Sequence, residues 1–283
     1  MHRIADLQRL IELVGVPIHH DSVYAGTIKT SYLSTDQGDP VILIHGNISC
    51  GINWYPVIGP LSSRFRVIAP DIVGYGESDK PPAPYDNHYY CSWLSDLMDA
   101  LGLQKASLVG HSQGGAIALH YALDYPERVE KLAIVDSAGL VRLESIGGLF
   151  ALIWYILCPS RKAILRIGKY MLYKSEKPIG LGALREYCIE VSRIPGARRA
   201  PLLSNKLGIL IPQEQLGNIS QETLLIWGEQ DNFYSVSQAE DAHKSIPGSR
   251  IRIISNSGHI PFYDQPKEFN NVLMRFLLSD HQK

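Results

Sequence analysis

The chain has 283 residues, 45% of them hydrophobic, and a formal net charge of −1. That is enough for one large α/β domain, with or without an inserted subdomain, and the near-neutral balance gives no general reason to expect nucleic acid or an acidic membrane surface as partner. Four cysteines, Cys50, Cys91, Cys158 and Cys188, stand at neither C-x-x-C nor zinc-site spacing, which suits reduced thiols in a cytoplasmic protein.

Residues 1–14 interleave Arg3, Asp6, Arg9 and Glu12 with Ile4, Leu7, Leu10, Ile11 and Val14. This is a short amphipathic helix laid on the core or on a partner, not the unbroken apolar stretch of a secretory leader. Val23 to Ser34, containing Gly26, suits a hairpin. Val41-Ile42-Leu43-Ile44 is a continuous apolar run, the mark of a strand buried on both faces of a parallel sheet. Further runs follow at Arg66–Ala69, Ala106–Val109, Leu132–Val135, Thr223–Trp227 and Ile251–Ile254. Helical stretches lie between and after them at Trp54–Ser63, Tyr89–Leu101, Gln113–Tyr125, Ser237–Ser245 and Lys267–Leu278. Repeated strand-then-helix units predict an α/β fold with a doubly wound, mostly parallel sheet.

The rhythm breaks between Leu140 and Gln221. Helical pieces rich in Leu, Ile, Tyr and Arg are interrupted there by Pro159, Pro178, Pro195, Pro201 and Pro212, with no buried-strand run. Residues 140–221 are therefore expected to form a helical cap inserted into a core made of 1–139 and 222–283. Leu149 to Cys158 is apolar but too short to span a membrane, and the run from Ile146 to Leu157 is strongly apolar. It suits packing inside the cap, a lipophilic pocket wall, a homodimer contact, or shallow membrane association beside Arg161, Lys162, Arg166 and Lys169.

Gly110-His111-Ser112-Gln113-Gly114 is a G-x-S-x-G pentapeptide between the predicted strand Ala106–Val109 and a helix. That context holds a serine hydroxyl on a strained turn, clear of the sheet and at the positive end of a helix. Three other loops follow predicted strands: His45-Gly46-Asn47, Gly228-Glu229-Gln230-Asp231 and Ser257-Gly258-His259. Strand ends on one edge of a parallel sheet converge on a site. The order Ser112, Asp231, His259 then supplies a nucleophile, an orienting acid and a general base. Asp136, also after a buried strand, is the rival acid, and His111 and His120 are the rival bases. No residue pattern calls for a metal or a cofactor.

Across Val23 to Leu278 these stretches, with Val67–Ser78, Tyr125–Val129 and Ser257–Pro261, resemble the α/β-hydrolase fold superfamily. The resemblance implies Ser112, Asp231 and His259 as catalytic triad, with the backbone N–H groups of Asn47 and Gln113 as oxyanion donors. Haloalkane dehalogenases and epoxide hydrolases of this fold carry aspartate where Ser112 stands, so acyl transfer is implied instead. The expected activity is hydrolysis of a lipophilic carboxylic ester or lactone through an acyl-enzyme at Ser112. Alternatives on the same fold are a carbon–carbon bond hydrolase of the meta-cleavage type, a non-hydrolytic biosynthetic enzyme and a ligand receptor. Meta-cleavage enzymes usually carry Trp after the catalytic histidine and Met after the serine, where this chain has Ile260 and Gln113.

Overall fold

The computed structural model describes residues 2–140, 143–173, 179–206 and 211–279. The six apolar runs form strands β3 (Asp39–Ile44), β4 (Phe65–Pro70), β5 (Ala106–His111), β6 (Val129–Val135), β7 (Glu222–Gly228) and β8 (Arg250–Ile254). They stand in the order β4-β3-β5-β6-β7-β8, all parallel. The hairpin β1 (His19–Ala25) and β2 (Ile28–Ser34) extends the sheet antiparallel beside β4, giving eight strands. Its tight turn starts at Gly26, whose φ of +57° is a conformation that glycine takes without steric cost.

Alternate strand residues feed two cores. Val41, Leu43, Val67, Val109 and Val135 face one side with α1 (His2–Val14), α2 (Tyr55–Ser62) and α12 (Pro266–Leu278). Ile42, Ile44, Ile68, Leu108 and Ile134 face the other, with α3 (Asn87–Ala100) and α4 (Gln113–Asp124). All six residues of β5 are buried, as a central strand covered on both faces demands. Each fully buried Val, Leu or Ile side chain of the sheet contributes about 1.5–3 kcal/mol by leaving water.

The segment predicted as one helix from Trp54 opens as a 3-10 turn, Gly51–Trp54, before α2 begins. Pro60 lies inside α2 and cannot donate to the carbonyl of Pro56. Asn270 on α12 donates to that carbonyl instead, at 2.9 Å, which fastens the two helices together.

Among the described residues between β6 and β7 lie helices α5 (Ile146–Leu157), α6 (Arg161–Met171), α7 (Leu181–Val191), α8 (Arg199–Lys206) and α9 (Gln213–Leu216). They are followed by α10 (Val236–Ser245) after β7 and the single turn α11 (Pro261–Asp264) after β8. Helix α1 lies against α2 and α7, burying Leu7, Leu10 and Val14. Thus the amphipathic N-terminal segment joins α2 to α7, a helix of the stretch between β6 and β7.

Candidate active site

Ser112 occupies the turn between β5 and α4 with φ +53° and ψ −117°, a conformation costing about 1–3 kcal/mol for a residue with a Cβ. Its surroundings hold it there. The Ser112 N–H donates to Val135 O at 2.9 Å, and Ser112 O accepts from the amides of Gly115 and Ala138 at 3.0 and 3.1 Å. A side chain at Gly110 would strike the Gly114 backbone, one at Gly114 the Ile44 carbonyl, and one at Gly115 the Ser137 hydroxyl. The glycines are thus required by close backbone approach as well as by the turn.

The loops after β7 and β8 meet beside this turn. His259 Nδ1 lies 2.9 Å from Asp231 Oδ2, and both side chains are almost wholly buried. Asp231 Oδ1 accepts the Phe233 N–H at 2.7 Å, fixing the carboxylate plane. Gln230 ties the loops together, its N–H donating to Ser257 O and its Oε1 accepting from Ser257 N–H. Gly258 N–H and Tyr173 N–H both donate to Asp264 Oδ2, at 2.9 and 3.0 Å. His111 Nε2 donates to His259 O at 2.8 Å, and burial and the neighbouring His259 hold this imidazole well below the usual histidine range. His111 therefore supports the His259 loop as a neutral ring.

Asp136 ends up directly behind this pair. Its side chain is fully buried, its φ is +40°, and its Oδ1 accepts the Gly228 N–H at 2.9 Å. Ligand atoms of Asp136, Asp231 and His259 lie within 4.8 Å of one another. Burial and the charge of Asp231 push the Asp136 carboxyl well above the usual range, and its Oδ2 has no hydrogen-bond partner among the described residues.

His45 organises the loop after β3. Ile72 N–H donates to its Nε2 at 3.0 Å, so the proton sits on Nδ1 and goes to Gly46 O at 2.7 Å. Burial holds this imidazole down to about 4, which keeps it neutral. A Cβ on Gly46 would lie 3.1 Å from Ser112 Cβ, which places the Gly46–Asn47 peptide beside the serine. Asn47 Oδ1 accepts the N–H of Ile48, a β-branched residue held at φ +54°. Gln113 opens α4, so its N–H has no partner within the helix. Its side chain is fixed between Tyr75, at 2.8 Å from Oε1, and Tyr90, at 3.1 Å from Nε2.

Two adjoining hollows, of about 650 and 500 Å³, share Asn47, Ile48, Ser112, Ile167 and Met171 as walls. The first is roofed mainly by apolar residues of α6 and α7, with Arg185 in its wall. The second holds His259, Gln113, Phe233 and Tyr234. Cys188, not Cys50, reaches the first hollow, and Cys50 lies behind it with its Sγ 4.0 Å from Cys188 Sγ.

The matched family model, described as alpha/beta hydrolase fold, covers residues 39–157. A 2-hydroxy-6-oxo-6-phenylhexa-2,4-dienoate hydrolase from Comamonas testosteroni is 30% identical over 266 residues, covering 87% of this chain and 90% of that protein. This chain is an α/β hydrolase. Carboxylesterase YbfK of Bacillus subtilis is a further relative of this α/β hydrolase, 28% identical over 92% of this chain and 89% of its own. The 2-hydroxy-6-oxo-6-phenylhexa-2,4-dienoate hydrolase from Rhodococcus sp. strain RHA1 superposes with a TM-score of 0.85 at 25% identity, over 93% of this chain and all of that one.

Two polar residues of this α/β hydrolase's cavity escaped the sequence reading. Tyr234 lines the same hollow as Ser112 and packs its ring 5.4 Å from that of His259. Arg185 has no ion pair or hydrogen bond among the described residues, and burial lowers its affinity for the proton. Tyr234 follows Asp231 closely enough that its position could have been suspected. Arg185 sits in a helix with no distinguishing period.

Proposed function

We propose that this α/β hydrolase cleaves a carboxylic ester or lactone through an acyl-enzyme on Ser112. The observation that carries this reading is the His259–Asp231 hydrogen bond of 2.9 Å beside a serine held at φ +53°, with Ser112 and His259 facing one cavity and Asp231 buried behind the histidine. In the proposed reaction His259 takes the Ser112 proton as its oxygen attacks the carbonyl, and Asp231 stabilises the imidazolium. The N–H groups of Gln113 and Asn47 receive the oxyanion. His259 then returns the proton to the leaving oxygen and activates a water that releases the acid. Residues 140–221 serve as the cap over the core of 1–139 and 222–283. The apolar roof from α6 and α7 supports a lipophilic group in the larger hollow, and Arg185 supports a polar or carboxylate end on it.

The test is a panel of chromogenic esters and lactones, with a dienoate of the meta-cleavage type beside them, run with a fluorophosphonate probe. The expected result is ester turnover and probe labelling in the wild type, with both lost in Ser112→Ala. Turnover of the dienoate alone, or labelling that survives Ser112→Ala, would overturn the reading.

A further inference from the structure

Helix α5 is apolar along its whole length, yet it is not fully buried. Ile146, Phe150, Trp154 and Leu157 are 72%, 68%, 38% and 45% exposed. Their spacing of three and four residues puts them on one stripe. On neighbouring α6, Ala163 and Ile167 face inward while Lys162, Arg166 and Lys169 are exposed along a second stripe. The two stripes border one open cleft, with Phe150 and Trp154 on one wall and the three cations on the other. Arg161 next door pairs with Glu186 at 2.7 Å, whereas Lys162, Arg166 and Lys169 have no ion pair or hydrogen bond among the described residues. Neither helix contains a single acidic residue. A chain of net charge −1 therefore carries a local basic and aromatic face that its overall balance hides.

We propose that the α5–α6 face docks on an anionic lipid surface. Ile146, Phe150, Trp154 and Leu157 enter the boundary between headgroups and acyl chains, while Lys162, Arg166 and Lys169 meet the lipid phosphates. Exposed apolar side chains rimmed by unpaired cations match that boundary in both polarity and charge. A second copy of this chain fits less well. A twofold contact would set the cations of one face against those of the other, with no acid on either helix to offset them. The opposite side of α6 turns Ile164, Ile167 and Met171 into the larger hollow beside Ser112. The docked face thus lies one helix thickness, about 10 Å, from the cavity. The inference does not depend on the proposed chemistry, because lipid binding is read without turnover.

The test is co-sedimentation of the full chain with vesicles of phosphatidylcholine alone or mixed with phosphatidylglycerol. Binding is expected to the mixed vesicles only, and to weaken as salt is raised. Lys162→Gln, Arg166→Gln and Lys169→Gln should each lower the partition coefficient about fivefold. Phe150→Ser with Trp154→Ser should abolish binding, and unchanged thermal midpoints would show that these variants stay folded. Equal binding by the charge variants, or no binding to mixed vesicles, overturns the proposal. So does self-association in solution that the Phe150→Ser, Trp154→Ser variant loses, since the face would then be a homodimer contact.

Discussion

Asp136 shows how one side chain can serve a site without facing it. Two carboxyl groups buried side by side cannot both ionise cheaply, and burial and the charge of Asp231 push the Asp136 carboxyl well above the usual range. A protonated Asp136 would donate to Asp231 from behind, while Asp231 faces His259 at 2.9 Å. Asp136→Asn retains a donor at the same place and should keep ester turnover within a few-fold of wild type. Asp136→Leu removes the donor and should lower kcat/KM about tenfold, equivalent to about 1.4 kcal/mol. Turnover measured across a pH series decides the matter, and equal behaviour of the two variants would make Asp136 a packing residue only. The sequence already showed two acids after buried strands, Asp136 and Asp231, and chain order favoured the second. Their mutual contact was illegible, because the 94 residues of chain between them do not specify it.

At the scale of elements, the strands were readable and the surfaces they serve were not. Continuous apolar runs have one physical explanation in a chain of this composition, burial on both faces of a parallel sheet, so strand ends and the loops that follow them were placed correctly. The inserted helices obey no comparable rule, since an apolar helical face packs on a core, a cavity or a partner with the same period. Arg185 is the clearest case. Only the folded arrangement shows α7 carrying an unpaired cation into an apolar wall. If it receives the polar end of the substrate, Arg185→Leu should raise KM for carboxylate-bearing esters about 10-fold or more. It should leave kcat for neutral esters unchanged. Steady-state kinetics on a matched ester pair measures this directly.

For the whole molecule, two buried neutral histidines set a stability limit in acid. An imidazole in the unfolded chain takes up a proton near 6.5, whereas folded His45 does so only near 4. Below pH 6.5 the unfolded state thus binds more protons, and stability falls as the pH drops from 6.5 to 4. His45 alone accounts for about 3 kcal/mol of that loss, and His111, lowered by burial and by His259, adds in the same direction. Denaturant unfolding at a series of pH values should show the decline. In His45→Gln the loss across this window should shrink by about 3 kcal/mol, whatever its stability at neutral pH. An unchanged slope would mean that His45 is not the neutral bridge between Gly46 and Ile72.

The two hollows share walls at Ser112. On the proposed chemistry the halves of a substrate part into separate chambers once the bond between them breaks. The alcohol can depart while the acyl half stays anchored, leaving a vacated chamber next to a reactive carbonyl. Water is then only one of the nucleophiles that can arrive. An enzyme of this layout should show ping-pong order and should pass its acyl group to added small alcohols, with the chamber's shape, rather than the chemistry at Ser112, choosing among the acceptors.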